Sequence, residues 1–445
     1  MTVTSHGNRA ARVTAESIEQ AAERLAGVVI ESPLQFNKRL SDATGAQVWL
    51  KREDLQPVRS YKLRGAYNLI AQLDADERAA GVVCASAGNH GQGVAFACAR
   101  LGIHGRIVVP STTPRQKRQR MRQLGEGSVE LIVHGDSYDE AAALAQGIVD
   151  EDGLTMVPAF DDPRTIAGQG TVVAEIVRQL GRAPERLIVP VGGGGMLAGC
   201  LTWLAERHPE TKVVGAEPSG AASMAIALEA GRPRDLPRLD TFVDGAAVRR
   251  VGDLPFSIAQ RLKPHMVSVP EGRICSEMLE LYQTDGVIAE PAGALASAAL
   301  GIYRPNAGRV VVAIISGGNN DLSRYAEITE RALVYEGRKH YFLVDFPQEP
   351  GALRRFLDEV LGPDDDITLF EYVKRSNRET GPALVGLEPQ DRGAEQAAVA
   401  QVVANPRFDG PQVLADHDRT GPVCLQRHDA DHRLVVVAHV RAGGG

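Results

Sequence analysis

The sequence predicts an α/β protein with a doubly wound, largely parallel sheet, followed by a small, separate α+β domain. Short β-branched runs alternate with longer helical patterns from about Ala46 to Glu217, which is the order of elements in a sheet with crossover helices. These runs are apolar throughout, as expected of strands that are covered on both faces. The texture changes near Arg338, and the 445-residue chain is long enough for two or three hydrophobic cores.

The strands of the first part are read from the β-branched runs in chain order. The runs are VWLK, GVVCA, RIVVP, ELIV, LIVPV, KVVGAE and, further on, VVVAII. Between them, Lys62 to Leu73 carries apolar residues at helical spacing, and Arg164 to Leu180 does so less cleanly. Because ligands of such sheets bind beyond the carboxyl ends of the strands, we expect the chemistry in the loops that follow them.

The C-terminal residues predict the second domain. KHYFLVDFPQEPGALRRFLDEVLG reads as strand, turn and helix, and DDDITLFEYVKRS adds a second strand, which together begin a βαββ arrangement. We expect this domain over residues 338–425, after a linker around Tyr335 to Arg338. Residues 426–445 carry one strand-like run, RLVVVAHV, and form a tail for which the sequence predicts no fold.

Composition and charge exclude several classes of protein. The chain is 44% hydrophobic and 24% charged with 46 glycines, which is typical of a globular α/β enzyme. Its formal net charge of -7 leaves no basic excess for binding nucleic acid. The one basic run, RQKRQRMR, follows Thr113-Pro114 and is interpreted as the solvated face of a helix, with nucleic-acid contact as the alternative.

The chain also lacks the sequence features of a membrane or secreted protein. No segment approaches the roughly 18 continuous apolar residues needed to span a bilayer, and the N-terminus lacks the apolar core of a signal peptide. We therefore expect a cytoplasmic protein. The five cysteines form no CxxC pair and no zinc-ligand spacing with histidine, so we interpret them as buried, reduced thiols and predict no metal site. They are Cys84, Cys98, Cys200, Cys275 and Cys424.

Three loops that follow predicted strands are rich in glycine and small polar residues. They are SAGNHGQG from Ser86, GGGG from Gly192 to Gly195, and SGGNN from Ser316. Such loops let backbone N–H groups approach a bound anion closely. The four glycines lie between a buried strand and the helix MLAGCLTWLAE, whose N-terminus offers unpaired N–H groups. Because a tight turn needs only one or two glycines, we predict a phosphate site here.

Two kinds of cofactor fit this phosphate site. Gly193, Gly195 and Ala198 satisfy the pattern G-x-G-x-x-G/A, and Glu217 ends the next strand about 20 residues on, as in a dinucleotide site. The pattern is weak when it stands alone. A nicotinamide enzyme is therefore one reading of these residues.

Lys62, in the stretch RSYKLRGAYN, favours the other cofactor. A lysine amine attacks a carbonyl only when it is neutral, and desolvation or neighbouring cations lower its pKa. Arg59 and Arg64 are near in sequence, and Tyr61 and Leu63 flank the lysine. Lys62 alone also fits a solvated lysine at a helix start. Together with the glycine cradle it indicates pyridoxal phosphate, an aldehyde that carries a phosphate and is held as a lysine Schiff base.

Six segments together resemble the fold type II pyridoxal-phosphate enzymes: LKREDLQPVRSYKLRGAYN, SAGNHGQGVA, TIAGQGT, VGGGGMLAG, AEPAGALA and ISGGNN. Within that group the sequence is most similar to the biosynthetic threonine dehydratases (threonine ammonia-lyases), over roughly Ile18 to Glu388. The resemblance implies a catalytic domain over residues 1–330 made of two doubly wound lobes, the smaller over about residues 50–160. It also implies deamination of L-threonine to 2-oxobutanoate and ammonia, the first step of isoleucine biosynthesis, in a homotetramer.

The resemblance assigns roles to matching residues. Lys62 looks like the Schiff-base lysine, which also takes the α-proton of the substrate, and Asn89 like the residue that hydrogen-bonds the cofactor's phenolic oxygen. The loop that grips the substrate carboxylate through backbone N–H donors matches Ser86, Ala87, Gly88, Asn89 and His90. The loop that binds the cofactor phosphate matches Gly192, Gly193, Gly194, Gly195 and Met196.

Ser316 matches the side chain that faces the pyridine nitrogen. A serine hydroxyl, unlike a carboxylate, does not hold that nitrogen protonated, so the cofactor withdraws fewer electrons and β-elimination is favoured over transamination. His90 has two interpretations, a general acid or a structural hydrogen bond within its loop. Glu290 is expected near the cofactor ring, and its role is left open.

The C-terminal domain resembles an ACT-like regulatory domain. Its turn between strand and helix matches the segment that binds an amino acid in such domains, here Glu349, Pro350, Gly351, Ala352 and Leu353. The resemblance implies feedback inhibition by isoleucine. The sequence contains one such module where some family members carry two, and a domain that only builds the oligomer is the alternative.

Three hypotheses about function remain. The first is threonine dehydratase. The second keeps the cofactor but changes the reaction, to a serine dehydratase, a serine or threonine racemase, or another β-eliminating lyase; the appended regulatory module argues against it. The third is a nicotinamide oxidoreductase that uses Gly193, Gly195, Ala198 and Glu217, or a non-enzymatic amino-acid sensor.

Overall fold

The computed structural model describes residues 12–347, 350–359, 365–372, 380–388, 425–427 and 434–436. The chain divides into two compact units, Met1–Val269 with Glu280–Asp321, and Pro270–Leu279 with Leu322–Gly445. The domain boundaries at residues 330, 338 and 425 that the sequence suggests stay predictions.

Strands and helices alternate along the first unit. The strands are β1 (Leu34–Phe36), β2 (Gln47–Arg52), β3 (Val82–Ala85), β4 (Gly105–Val109), β5 (Val129–Val133), β6 (Thr155–Met156), β7 (Arg186–Pro190), β8 (Lys212–Pro218), β9 (His265–Val269) and β10 (Val310–Ile315). The helices up to residue 298 are α1 (Ala15–Leu25), α2 (Lys38–Thr44), α3 (Lys62–Ile70), α4 (Ala75–Ala80), α5 (Asn89–Leu101), α6 (Arg115–Gly125), α7 (Tyr138–Asp152), α8 (Pro163–Leu180), α9 (Gly195–Arg207), α10 (Ser223–Ala230), α11 (Asp253–Leu262), α12 (Glu271–Gln283) and α13 (Pro291–Ala298). Short 3-10 helices cover Glu53–Leu55, Ser219–Ala221, Ala299–Gly301 and Leu322–Arg324.

Six strands form one sheet, in the order β1-β2-β10-β7-β8-β9. Neighbours from β2 to β9 run parallel, whereas β1 pairs antiparallel with β2, with Leu34 opposite Lys51. Helices α1, α8, α9 and α11 pack on this sheet through one hydrophobic cluster that includes Ile18, Ile176 and Val312. Because β2, β10 and β7 are neighbours, the residues that follow them lie side by side at the carboxyl edge of the sheet.

Four strands form a second, parallel sheet, in the order β5-β4-β3-β6. Successive side chains of a strand point to opposite faces, and both faces are buried here. Val82 and Cys84 pack with α3, α5 and α6, whereas Val83 packs with α7. Two sheets with helices confirm the predicted doubly wound α/β class, and all seven β-branched runs form strands.

The sequence patterns do not predict three strands of these sheets. β1 and β6 have only three and two residues. β9 reads HMVSV and alternates between exposed and buried positions at the edge of its sheet. Short or half-exposed edge strands lack the continuous apolar run on which the prediction depends.

The second unit contains an antiparallel sheet in the order β11-β13-β12. Its elements are α14 (Tyr325–Tyr335), β11 (His340–Pro347), α15 (Ala352–Glu359), β12 (Asp366–Tyr372) and β13 (Thr380–Glu388). Phe356 of α15 and Val385 and Leu387 of β13 are buried. The predicted order of strand, turn, helix and strand is confirmed. A further antiparallel pair joins β14 (Leu425–Arg427) to β15 (Leu434–Val436), and β15 falls within the strand-like run of the tail.

Candidate active site

Three segments that follow neighbouring strands meet at the carboxyl edge of the six-stranded sheet. The chain after β2 reaches Lys62, the first residue of α3; Ser316 follows β10; and the glycine loop, Gly192–Gly195, follows β7. The Tyr61 N–H donates to the Ser316 carbonyl at 3.1 Å, and the adjacent residues Ser60 and Gly317 form an isolated β-bridge. The lysine segment and the serine segment are therefore held together by backbone hydrogen bonds.

The segment Ala159–Phe160 connects Lys62 to the glycine loop. Lys62 Nζ donates to the Ala159 carbonyl at 3.4 Å, and Gln169 Nε2 donates to the same carbonyl at 2.9 Å. A Cβ built on Gly193 would collide with the Phe160 ring, so the loop packs against this segment at a distance that only glycine permits. The structure thus brings the predicted Schiff-base lysine and the predicted phosphate loop to one place.

The amine of Lys62 is more easily deprotonated than an ordinary lysine amine. Desolvation lowers the pKa of Lys62 from 10.5 to about 8, and the nearby Glu290 carboxylate opposes this shift. The Nζ atom lies 5.3 Å from the centroid of the Tyr61 ring. Of the sequence neighbours expected to affect the amine, Tyr61 contacts it through its ring. The pKa is lowered by the exclusion of water and not by adjacent cations.

Arg64 is neutralised by its own partners, although it is only two residues from Lys62. Its guanidinium donates to Glu53 at 2.7 and 2.8 Å and to Glu175 at 3.0 Å, and Lys51 pairs with Glu175 at 2.5 Å. These four residues, called the buried ion cluster below, are at most 9% exposed. Arg64 is therefore part of a structural network at the start of α3, and it does not lower the pKa of Lys62.

The glycine loop ends at the N-terminus of α9. Gly194 has φ 93°, a conformation that L side chains rarely adopt, and α9 begins at Gly195. A Cβ on Gly195 would collide with Oε1 of Gln169, and one on Gly194 would lie 2.7 Å from Met224 Cε. The first turn of a helix leaves its N–H groups without intrahelical partners, so this cradle of bare backbone fits a phosphate group.

Asn89, the first residue of α5, has both ends of its side-chain amide engaged. Its Nδ2 donates to Glu290 Oε1 at 2.5 Å, and its Oδ1 accepts from Asn319 Nδ2 at 2.7 Å. Asn319 Nδ2 also donates to the backbone carbonyl of Val58 at 2.8 Å. This chain of hydrogen bonds joins the four-stranded sheet lobe to the loop after β10.

Glu290 is a buried carboxyl at the N-cap of α13. Its backbone N–H donates to the Gly317 carbonyl at 3.1 Å, which places it directly beside the Ser316 segment. Burial raises the pKa of Glu290 to about 7, helped by the Asp244 carboxylate, while the hydrogen bond from Asn89 lowers it. The carboxyl therefore titrates near neutral pH. The sequence predicts that Glu290 lies near the cofactor ring and leaves its role open.

Ser316 is buried, and its Oγ donates to the Ala292 carbonyl at 3.1 Å. No charged side chain occupies this position, which directly follows a central strand. The chemistry of the position fits the prediction of a neutral partner for a ring nitrogen. Its role stays a prediction.

The loop from Ser86 to His90 leads from β3 into α5. The Gly88 N–H donates to Ser86 Oγ at 3.3 Å. His90 is buried, its Nε2 lies 2.7 Å from the Val157 carbonyl, and desolvation lowers the pKa of its ring to about 4. A neutral imidazole that donates to a backbone carbonyl favours the structural interpretation of His90 over the general acid.

Glu217 has a different place from the one that the dinucleotide pattern suggests. Its carboxyl accepts from the N–H groups of Met224 at 2.6 Å and Ala225 at 2.9 Å, at the start of α10. Both carboxyl oxygens thus serve as a helix cap. Its spacing after the glycine loop comes from this packing role.

The predicted effector segment lies in the second unit. Pro350 and Gly351 form the turn before α15, Ala352 is buried and Leu353 is 44% exposed. Glu349 lies outside the described residues. The effector role of this segment stays a prediction.

The expectations for cysteines, metals and membranes concern the described part of the chain. Cys84, Cys98, Cys200 and Cys275 are buried and free, and Cys424 lies outside it. In the same residues, no group of acidic, cysteine and histidine side chains is arranged to hold a metal ion. No helix there is both long enough and apolar enough to cross a membrane.

Comparison with known families covers most of the chain. Residues 5–317 match the family described as pyridoxal-phosphate dependent enzyme, and residues 330–401 match the family described as C-terminal regulatory domain of threonine dehydratase. These two matches overturn the nicotinamide hypothesis.

Individual relatives agree with the family matches. The chain is 61% identical over 374 residues to a protein of Mycobacterium tuberculosis named biosynthetic L-threonine dehydratase, covering 83% of this chain and 87% of the relative. It is 47% identical over 407 residues to the Bacillus subtilis protein of the same name, covering 91% and 96%.

Solved structures give the same picture of the catalytic fold. The processed form of threonine deaminase isoform 2 from Solanum lycopersicum is 42% identical with a TM-score of 0.67, covering 71% of this chain and 94% of that one. Maize serine racemase is 28% identical with a TM-score of 0.66, covering 73% and 99%.

Proposed function

The chain belongs to the pyridoxal-phosphate dependent enzymes and, among them, to the biosynthetic threonine dehydratases, and we propose that its site deaminates L-threonine to 2-oxobutanoate and ammonia. The observation that carries this proposal is the meeting of Lys62 with the glycine loop across Ala159–Phe160. A half-buried amine with a lowered pKa beside a backbone phosphate cradle is what a phosphate-bearing aldehyde requires.

The cofactor would be held by four groups of this chain. The N–H groups of Gly192 to Gly195 and Met196 hold its phosphate, Lys62 its aldehyde carbon, Asn89 its phenolic oxygen and Ser316 its ring nitrogen. When bound, pyridoxal phosphate withdraws electrons from the α-carbon of an amino acid. The neutral Ser316 hydroxyl limits this withdrawal, which favours elimination over transamination.

The proton transfers belong to Lys62. With its lowered pKa, the Lys62 amine is neutral more often than an ordinary lysine amine, and in that form it would take the α-proton of the substrate at Nζ. The backbone N–H groups from Ser86 to His90 hold the substrate carboxylate and so fix which bond at the α-carbon is broken. The substrate loses its α-proton and its β-hydroxyl as water, and hydrolysis of the remaining unsaturated amine releases ammonia and 2-oxobutanoate.

The second unit would bind isoleucine and inhibit the reaction. The match to a threonine dehydratase regulatory domain supports this part of the proposal, with Pro350 to Leu353 as contacts. Assembly as a homotetramer, which the family resemblance of the sequence implies, and a location in the cytoplasm also belong to the proposal. A domain that serves only for assembly is the competing interpretation.

The proposal is tested with purified protein by measuring 2-oxobutanoate formed from L-threonine, with and without isoleucine. We expect a yellow protein whose product formation falls on adding isoleucine. Lys62→Ala should lose both the colour and the activity. If isoleucine does not change the activity, the second unit serves only for assembly. A yellow protein that acts on serine but not on threonine would contradict the substrate assignment.

A further inference from the structure

Glu290 has no role in the account above, although it lies between three of the segments that form the site. We propose that Glu290 is a positioning residue, which fixes the side-chain amide of Asn89 so that one N–H of Asn89 faces the cofactor's phenolic oxygen. This inference rests on the proposed function, because it assumes that Asn89 contacts the cofactor.

The direction of the hydrogen bonds begins at a backbone carbonyl, whose polarity is certain. Val58 O can only accept, so Asn319 must direct its Nδ2 toward it, at 2.8 Å. The second hydrogen of that Nδ2 then donates to Asn89 at 2.7 Å, which requires the oxygen of the Asn89 amide to face Asn319. Asn89 Nδ2 consequently faces Glu290, at 2.5 Å.

An asparagine Nδ2 carries two hydrogens, and Glu290 uses only one of them. The other hydrogen remains available to an acceptor at the site. If the amide of Asn89 were flipped, its oxygen would face the Glu290 carboxylate, and two acceptors would meet in a buried place. The carboxylate thus acts on the cofactor through Asn89, by adding a second penalty against the flipped orientation to the one that Asn319 imposes.

Glu290 has a further hydrogen bond besides the one from Asn89, and it lies near several charged groups. It accepts a hydrogen bond from the backbone N–H of Asn319 and is influenced by the charges of Asp244 and Lys117. Lys117, on α6, pairs with Asp244 at 2.6 Å. On α3, the Lys62 amine is affected by the Glu290 charge, as is the Tyr61 hydroxyl next to it. Two hydrogen bonds, from Asn89 and from the backbone of Asn319, therefore hold the carboxyl group without a ligand.

The test is a double-mutant cycle with Glu290→Ala and Asn89→Ala, read as the dissociation constant of pyridoxal phosphate from the protein. Each single variant should weaken cofactor binding, Asn89→Ala by roughly tenfold, the value of one hydrogen bond to a charged oxygen. If Glu290 acts through Asn89, the double variant should bind no more weakly than Asn89→Ala alone. Losses that multiply in the double variant would overturn the inference.

A conservative variant separates positioning from simple structural support. Glu290→Gln keeps a carbonyl oxygen that accepts from Asn89, so we expect it to bind the cofactor more tightly than Glu290→Ala. Because glutamine does not titrate, cofactor affinity in this variant should change less with pH around 7 than in wild type, where protonation of Glu290 removes the charge that strengthens its hydrogen bond from Asn89. Equal affinity in the Gln and Ala variants would contradict the inference.

The matched control is Glu217→Gln, which also replaces a buried carboxyl by an amide, at a residue whose hydrogen bonds go to Met224 and Ala225 and not to Asn89. The effects of Glu217→Gln and Asn89→Ala on cofactor binding should be independent, with no coupling free energy between them. The outcomes also separate this inference from the function on which it rests. If Asn89→Ala itself leaves cofactor affinity unchanged, the proposed site is wrong; if Asn89→Ala weakens binding but Glu290→Ala does not, only the inference fails.

Discussion

Lys62 begins helix α3, and its amine lies 5.3 Å from the centroid of the Tyr61 ring and 3.4 Å from the Ala159 carbonyl oxygen. Removal of water from an ammonium disfavours the charged form, and this effect outweighs the attraction of the Glu290 carboxylate. The two arginines that neighbour Lys62 in sequence are not the cause of its lowered pKa. Packing therefore gives this residue an amine that is more easily deprotonated than an ordinary lysine amine.

The lowered pKa of Lys62 predicts how cofactor uptake depends on pH. Only the neutral amine attacks the aldehyde, so the rate at which cofactor-free protein takes up pyridoxal phosphate should rise with pH. The midpoint should lie near 8 rather than near 10.5. Glu290→Gln removes a charge that favours the ammonium and should move this midpoint to lower pH. A midpoint near 10.5 in wild type would contradict the effect of burial.

At the scale of single elements, the starts of two helices differ in whether a side chain of the protein caps them. The N-terminus of α9 presents bare backbone from the glycine loop, whereas the N-terminus of α10 is already capped by Glu217. Both use the same property, the unpaired N–H groups of a first turn. The uncapped start at α9 is the one left for an external anion.

The glycine loop should not tolerate a methyl group. In Gly195→Ala, the added Cβ collides with Gln169 Oε1, so the loop or Gln169 must move. We expect cofactor affinity to fall by roughly tenfold or more, since a shift of the donors weakens several charge-assisted hydrogen bonds. The measurement is a cofactor titration of cofactor-free protein.

Gly147→Ala is the matched control for that prediction. Gly147 lies in α7 with nothing near the position of an added Cβ. This variant should bind the cofactor as wild type does and gain about 0.5–1 kcal/mol of stability, because alanine favours the helix. Equal affinity in both alanine variants would argue against a tight phosphate cradle.

Glu217 predicts a pH dependence of stability. Burial raises the pKa of Glu217 from 4.5 to about 8, so the folded protein keeps a proton there that the unfolded chain releases near 4.5. Its contribution to stability is therefore fully present below about pH 4.5 and is lost as pH rises through 8. In urea unfolding, Glu217→Gln should lose less stability than wild type between pH 5 and pH 8. An identical pH slope would contradict the raised pKa.

At the scale of the whole first unit, the buried ion cluster ties distant parts of the chain together. Lys51 on β2, Glu53 in the following 3-10 helix, Arg64 on α3 and Glu175 on α8 form one network. Arg64 lies two residues after Lys62 in α3. The network therefore also fixes the start of the helix that carries the Lys62 amine. Its members pair completely, as buried charges must.

Breaking this network should be costly. Arg64→Met leaves Glu53 without its ion pair and leaves Glu175 with Lys51 alone, and we expect a loss of about 3–5 kcal/mol in the free energy of unfolding. Arg178→Met removes an exposed ion pair with Glu31 and should cost less than about 1 kcal/mol. Thermal unfolding of the two variants beside wild type measures both. Equal small losses would show that the cluster is not structurally important.

Much of this protein could be predicted from particular residues. The β-branched runs predicted seven strands because parallel strands buried on both faces must be apolar along their whole length. The glycine loop and Lys62 indicated the cofactor because a phosphate needs bare backbone and an aldehyde needs a neutral amine. Short edge strands such as β1 escaped prediction, since three residues carry no period.

The sequence by itself determined the fold class, the cofactor and the residue types at the site, because these depend on local pattern and on intrinsic chemistry. Only the tertiary structure decided which neighbours matter. It joined Asn89 to Glu290, which are 201 positions apart in the chain, and removed Arg64 from the surroundings of Lys62 by pairing it with Glu53 and Glu175. Hydrogen bonds and desolvation act over a few ångströms of space, and the order of residues along the chain does not contain those distances.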